Sequence, residues 1–282
     1  MQWFLFLPQY RQQMAEFVSR AAAAEDSGFD GIAFLDHLET PMAADQPLWE
    51  AMTTATWIAA KTRRLRVGHL VLCDAFRHPA VLAKQAVTLA EASEGRFELG
   101  LGSGSIPAEL TKFEITTDDG AARVAHLART LELLAEFWGT GGVCERTQSP
   151  QPSAPIPLLL GGKGPKMLEL VRRWADWWNV PATQIDQIPE LMASAAPARP
   201  SAQVMVALVG RGADRASVIE TSRRRFGYLG PGLVCGDAGE LRAHFASLAA
   251  QGVRRSYVWF ADFAPTATIE EFGATVIAGF PG

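Results

Sequence analysis

Short apolar runs alternate with longer stretches in which apolar residues recur every three or four positions, and this alternation persists along the whole chain. Trp3–Leu7 reads as a first strand. A helix follows over Gln12–Ser27, with Met14, Phe17, Val18, Ala21 and Ala24 on one side and Gly28 where a helix end favours positive φ. The pairing then repeats: strand Gly31–Leu35 with helix Leu48–Lys61, strand Arg66–Leu72 with a helix from Pro79 to Ala92, and strand Phe97–Leu101 with helix Ala121–Trp138. A Pro-rich connection, Ser149–Pro157, leads to strand Leu158–Leu160 and helix Lys166–Ala175. Strand Trp177–Val180 is followed by a Pro- and Ala-rich stretch with one short helix. Strand Gln203–Val209 precedes helix Asp214–Phe226. A Gly-rich loop over Gly227–Gly236, a helix over Ala238–Gln251, strand Ser256–Phe260 and helix Ile269–Ala278 complete the chain.

Eight strands, each with a helix behind it, imply a parallel sheet with crossover helices. A doubly wound open sheet would show a Gly-rich turn after its first strand; here that position is Pro8-Gln9-Tyr10. Eight units predict closure into a (β/α)8 TIM barrel, expected as a single domain over residues 1–282, since such barrels run to about 250 residues.

Charge and cysteines narrow the function classes. The net charge is −4, which argues against nucleic-acid or membrane-surface binding. The run Arg223-Arg224-Arg225 reads as a solvated helix face. Cys73, Cys144 and Cys235 suggest neither a disulfide framework nor a zinc site. The N-terminus lacks a basic leader and cleavage site, and no apolar stretch approaches the ~20 residues that span a bilayer, so a cytoplasmic location is expected. No metal-ligating signature and no Gly-x-Ser-x-Gly elbow is present.

Chemistry in such a barrel belongs at the C-terminal ends of the strands. The second strand runs into Asp36-His37, a carboxylate beside an imidazole suited to proton transfer, or a cap beside a surface histidine. His69 is read as turned away from the mouth. Cys73 stands at the mouth. The fourth strand runs into Gly100-Leu101-Gly102-Ser103-Gly104, with Glu109 five residues on, either a functional carboxylate or a solvated one. The fifth runs into Gly161-Gly162-Lys163-Gly164-Pro165-Lys166 directly before a helix. Exposed backbone N–H groups, the helix N-terminus and Lys163 make this the best anion site in the chain. Asp36 and Glu109 could also act as paired carboxylates of a hydrolase. Trp174, Trp177 and Trp178 read as packing.

Several separated segments resemble the bacterial-luciferase-like superfamily of flavin- and deazaflavin-dependent oxidoreductases: Arg77-His78-Pro79, Leu82-Ala83-Lys84, Ser93-Glu94-Gly95-Arg96, and Leu99-Gly100-Leu101-Gly102-Ser103-Gly104. Asp36-His37 resembles the pair that ends the second strand of deazaflavin-dependent members. Gly161–Gly164 resembles the coenzyme phosphate loop, and Ala175–Asn179 the sixth-strand segment. The resemblance implies an enzyme that binds coenzyme F420, with FMN and a monooxygenase reaction as the alternative, and a small-molecule substrate; a TIM-barrel hydrolase or a non-catalytic flavin binder is a distant third. It places His37 over the redox ring as the proton-handling group and Asp36 against the coenzyme; Glu109 is a second catalytic candidate by its position after the fourth strand. The resemblance puts a cis non-proline peptide at Leu70–Val71, ring or chain contacts at Cys73, Ser103 and Gly104, and the phosphate on Gly161, Gly162, Lys163, Gly164 and Pro165. It also allows a homodimer. The sequence departs from the sugar-phosphate dehydrogenases of that family: Ser105 stands where they carry a Glu after the glycines, and Ala108 where they carry an Asn. Sugar-phosphate oxidation is therefore not expected.

Overall fold

Strand residues alternate between two apolar surroundings, and this alternation organises the molecule. In the computed structural model, which describes residues 1–41 and 43–280, Trp3, Leu5, Ile32, Phe34, Val67 and Leu99 pack outward into the layer shared with the helices. Phe4, Phe6, Ala33, Leu159, Trp177 and Tyr257 turn inward and meet one another. Most strands are thus buried on both faces, as in a parallel barrel wrapped by helices. Residues 281–282 of the expected domain lie outside the described residues.

The strands are β1 (Gln2–Phe6), β2 (Gly31–Phe34), β3 (Arg66–His69), β4 (Leu72–Cys73), β5 (Phe97–Gly102), β6 (Leu158–Gly161), β7 (Trp177–Val180), β8 (Arg199–Leu208), β9 (Leu233–Gly236) and β10 (Arg255–Phe260). All pair in parallel. The sheet closes where β10 lies between β1 (Gln2 opposite Arg255) and β8 (Ser201 opposite Arg255). The α-helices are α1 (Met14–Asp26), α2 (Ala51–Lys61), α3 (Pro79–Ala92), α4 (Pro107–Lys112), α5 (Gly120–Trp138), α6 (Pro165–Trp174), α7 (Ile188–Ala195), α8 (Arg215–Phe226), α9 (Ala238–Ala250) and α10 (Thr266–Phe272). The predicted (β/α)8 TIM barrel is the observed fold.

Three local features differ from the periodicity. The strand expected over Arg66–Leu72 is broken in two: β3 ends at His69, the Leu70–Val71 peptide is cis, and β4 resumes the pairing with β5. The expected loop over Gly227–Gly236 ends in a strand, β9. Its cause is the length of β8, whose first residues pair with β7 while Met205–Leu208 extend past the end of β7. Leu233–Gly236 covers that otherwise open edge. Finally, Ile106-Pro107 starts the short helix α4 where the sequence suggested only a loop.

The N-terminal end of the lumen is filled by charge rather than by aliphatic side chains. Arg255, 1% exposed, inserts its guanidinium between the rings of Phe4 and Trp177, 3.9 and 3.7 Å from their centroids. It donates to Glu98, to Gln2 Oε1 and to Tyr257 Oη, and Arg66 donates to the same Glu98. Arg199 lies over the Trp177 ring as well, at 3.9 Å. Buried charges persist only when paired and hydrogen-bonded, and cations gain further from aromatic faces. Arg255→Leu strands the Glu98 carboxylate with Arg66 alone; a loss of about 3–5 kcal/mol is expected, read as a lower midpoint in guanidinium denaturation at pH 7.

Candidate functional site

A cavity of about 330 Å³ opens at the opposite, C-terminal end of the barrel. The loops around it are fixed by side chains that replace missing backbone pairing. Beyond β1, fully buried Gln9 takes over from the strand: its Nε2 donates to Leu35 O at 2.6 Å and its Oε1 accepts from Leu35 N at 3.2 Å. This amide sets the backbone immediately before Asp36-His37.

Asp36 is 6% exposed and lines the cavity, but its oxygens are committed. Oδ2 accepts from Cys73 N at 2.7 Å and from Arg77 Nη1 at 2.6 Å; Oδ1 accepts from Arg77 Nη2 at 3.0 Å. The fork is bidentate, the strong geometry for such a pair. Arg77, from the Arg-His-Pro segment, also donates to Glu50 Oε1 at 2.7 Å. Glu50 caps α2 through Met52 N and Thr53 N. Burial pushes the Glu50 carboxyl upward, but those amides and Arg77 outweigh it and hold it at about 2.

His37 and Glu109 meet. His37 Nδ1 lies 2.8 Å from Glu109 Oε2, while Glu109 Oε1 accepts from Leu38 N at 2.6 Å and Glu39 N at 3.2 Å. Glu109 is 4% exposed on α4, so it is a buried brace between α4 and the loop after β2 rather than a solvated carboxylate. Neither Asp36 nor Glu109 has an oxygen free of hydrogen bonds, an arrangement ill suited to activating water between them.

The floor of the cavity is the Leu70–Val71 bulge. It requires glycine beneath it: a Cβ on Gly102 would stand 2.7 Å from Val71 Cγ2, and one on Gly100 would stand 2.1 Å from His69 O. Cys73, Ser103 and Gly104 lie along one edge, with Gly104 at φ +86° and its hypothetical Cβ 3.2 Å from Cys73 Sγ. Burial pushes the Cys73 thiol up to about 11. Gly161 and Gly162 form the far edge, and Trp178 Nε1 donates to Gly162 O at 2.8 Å, holding that loop from the outer face of the sheet. Lys163, Gly164 and Pro165 are exposed and lie beyond the cavity lining. Lys163 Nζ donates to Gln187 Oε1 at 3.0 Å, and Gly164 is the N-cap of α6.

The cavity thus brings together Asp36, His37, Leu70, Val71, Cys73, Ser103, Gly104, Glu109, Gly161 and Gly162 of the expected positions. It leaves Lys163, Gly164 and Pro165 on a shelf outside. His69 faces the helix layer, its Nε2 3.2 Å from Ala51 O, and burial pushes its imidazole down to about 4. Arg77 as the brace of Asp36, and the lining residues Asn179, Pro181 and Gln203, went unassigned in the sequence. A polar residue within an apolar strand was the available signal for Asn179 and Gln203. Among the described residues no helix is long and apolar enough to cross a membrane, and no group of three or more His, Cys, Asp or Glu is placed to hold a metal ion.

The sequence pattern of the family described as luciferase-like monooxygenase matches residues 1–225. An F420-dependent glucose-6-phosphate dehydrogenase of Nakamurella multipartita is 32% identical over 176 residues, covering 57% of this chain and 50% of the relative. The chain spans about half the length of the curated dehydrogenases it matches. Among solved structures, an F420-dependent secondary alcohol dehydrogenase in complex with an F420-acetone adduct superposes with a TM-score of 0.82 at 16% identity, over 98% of both chains. The monooxygenase RslO1 from Streptomyces bottropensis does so with a TM-score of 0.74 at 20% identity, over 99% of both.

Two expectations come from this geometry. With iodoacetamide at pH 8 and mass spectrometry, exposed Cys144 is alkylated while Cys73, buried and protonated until the pH approaches about 11, is spared in the folded protein. Glu109→Ala removes the acceptor of two amides, so hydrogen exchange at Leu38 and Glu39 accelerates by roughly tenfold or more, with β5 unaffected.

Proposed function

Since the chain belongs to the luciferase-like monooxygenase family, we propose that it is a coenzyme F420-dependent oxidoreductase that moves a hydride to or from a small organic substrate, with residues 1–282 acting as one catalytic unit. The observation that carries this reading is the His37–Glu109 pair at the wall of a slot floored by Leu70 and Val71. Relatives described as F420-dependent support the choice of coenzyme.

The residues present fit such a group. Leu70 and Val71 offer an apolar face to a flat ring, and Asp36, Cys73 and Ser103 supply a narrow polar edge. Gly161 and Gly162 lead from the slot to the N-terminus of α6. A Cβ on Gly164 would meet nothing within 4 Å, so the shelf is open to a phosphate, with Lys163 beside it and Pro165 opening the helix. When bound, the deazaflavin supplies a two-electron hydride carrier, which no side chain of the protein can replace.

The protein's own part is proton handling and positioning. Glu109 accepts from His37 Nδ1, which fixes that nitrogen as the N–H and leaves Nε2 as the basic atom of a cavity-lining imidazole. Nε2 then removes the proton of a substrate hydroxyl during oxidation and returns it during reduction. Glu109 acts through His37 and is a positioning residue. Asp36, locked by Arg77, holds Cys73 N and hence the end of β4 beside the slot.

FMN is the second reading, favoured by the description of the family itself. It shares the flat ring and the phosphate, so the same slot and shelf would serve. Titration of the purified protein with F420 and, separately, with FMN, followed by ring fluorescence, decides between them. F420 is expected to bind at least tenfold more tightly; the reverse order turns the assignment to FMN, and binding of neither removes the oxidoreductase reading. His37→Ala is expected to keep coenzyme affinity within about threefold while lowering kcat by roughly a hundredfold or more on any substrate the wild type turns over.

A further inference from the structure

The charges around the cavity are unbalanced. Asp36 and Glu109 both line it and Glu50 stands behind them, with the single guanidinium of Arg77 shared between Asp36 and Glu50. Among the described residues that line the cavity there is no Lys or Arg. Three cations on the surrounding loops and helices are committed elsewhere: Arg123 donates to Ser103 O at 3.0 Å and to Asp118 O at 2.6 Å, Lys112 pairs with Glu39, and Lys163 holds Gln187. A phosphate dianion entering this space would give up its hydration beside two carboxylates and find no cation to replace it.

The remaining lining is apolar, from Leu35, Ile106, Leu110 and Pro181 above the bulge, with two amides across from His37. Asn179 and Gln203 face the lumen from neighbouring strands; Asn179 is opposite Ser201, and Gln203 lies two residues further along on the same face. Ser201 Oγ lies 2.9 Å from Trp178 O and 3.2 Å from Asn179 Oδ1, so its single proton is shared between them; Asn179 Nδ2 and the Gln203 amide have no hydrogen-bond partner among the described residues. The space therefore combines an apolar wall with neutral amides for one oxygen.

Resting on the coenzyme reading above, we propose that the substrate is a neutral, largely apolar molecule presenting a single carbonyl or hydroxyl oxygen to Asn179 and Gln203, and that sugar phosphates are refused. In this the chain parts from the glucose-6-phosphate dehydrogenases it resembles in sequence.

The test uses protein loaded with reduced coenzyme for two neutral carbonyl probes, cyclohex-2-enone and 1-tetralone, and protein loaded with oxidised coenzyme for glucose 6-phosphate. Binding is read by saturation-transfer NMR and turnover by coenzyme absorbance. The two neutral carbonyl compounds are expected to bind and to compete with each other, and glucose 6-phosphate to give neither signal nor turnover at a tenfold higher concentration. Gln203→Leu is expected to weaken the neutral probes by about tenfold, with coenzyme affinity changed less than twofold; Gln203→Met serves the same purpose if the leucine variant does not fold. Binding or turnover of glucose 6-phosphate overturns the proposal. So does a loaded protein that neither neutral probe contacts, or a Gln203 substitution without effect on them. Failure to load coenzyme appears in the titration before any probe is added and counts against the coenzyme reading instead.

Discussion

The pairing of Arg255 with Glu98 at the closed end of the barrel is the contact on which the arrangement of the lumen turns. A lumen of eight strands must be filled, because an empty one forfeits packing and admits water to the strands. Here the filling is uneven. Phe4, Trp177 and Tyr257 crowd around one guanidinium near the strand starts, and the carboxylate that neutralises it comes from β5 across the lumen. With that end occupied, the upper lumen can thin to glycines at 100, 102 and 161, and the Leu70–Val71 bulge fills only part of the space they leave. The cavity is the remainder.

Two further carboxylates turn this opening into a defined site. Asp36 ties β2 to β4 and α2 through Arg77 and Cys73, and Glu109 ties the loop after β2 to α4. Each is buried with its oxygens satisfied, so each is worth far more as a fixed strut than as a solvated charge. Their joint effect is geometric: Glu109 holds the imidazole of His37 at the cavity wall, and Arg77 is shared between Asp36 and Glu50 behind it.

Much of this architecture is legible in the chain, because strands buried on both faces read as apolar runs and helices as amphipathic ones. That is why eight units could be counted. What escapes is whatever depends on partners distant in sequence. Arg255 at the start of an apolar strand looks like a strand-end residue until Glu98 and Trp177 are brought to it. β9 is four residues long and has no period to detect; only the overhang of β8 calls for it. The break at Leu70–Val71 carries no periodic signal and came from family resemblance alone. Glu109 was recognised as a candidate, yet its burial rests on Ile106-Pro107 starting a helix within a loop. Asn179 and Gln203 are single polar residues in strands, and their inward direction follows only from register. Lys163 was legible as part of an anion-binding loop, but its side chain reaches Gln187 instead of the cavity.

The closure also bears on how the chain acquires its shape. Glu98 and Arg255 are separated by 157 positions, and the strand that brings Arg255 into place is the one that seals the sheet against β1. Until β10 docks, the Glu98 carboxylate has no compensating partner but Arg66 and must stay hydrated, so the lower lumen cannot dry. Desolvation of that carboxylate and joining of the first strand to the last are therefore one event. Such a long-range step belongs to slow-folding topologies, and it couples the drying of the lower lumen to the docking of β10 against β1.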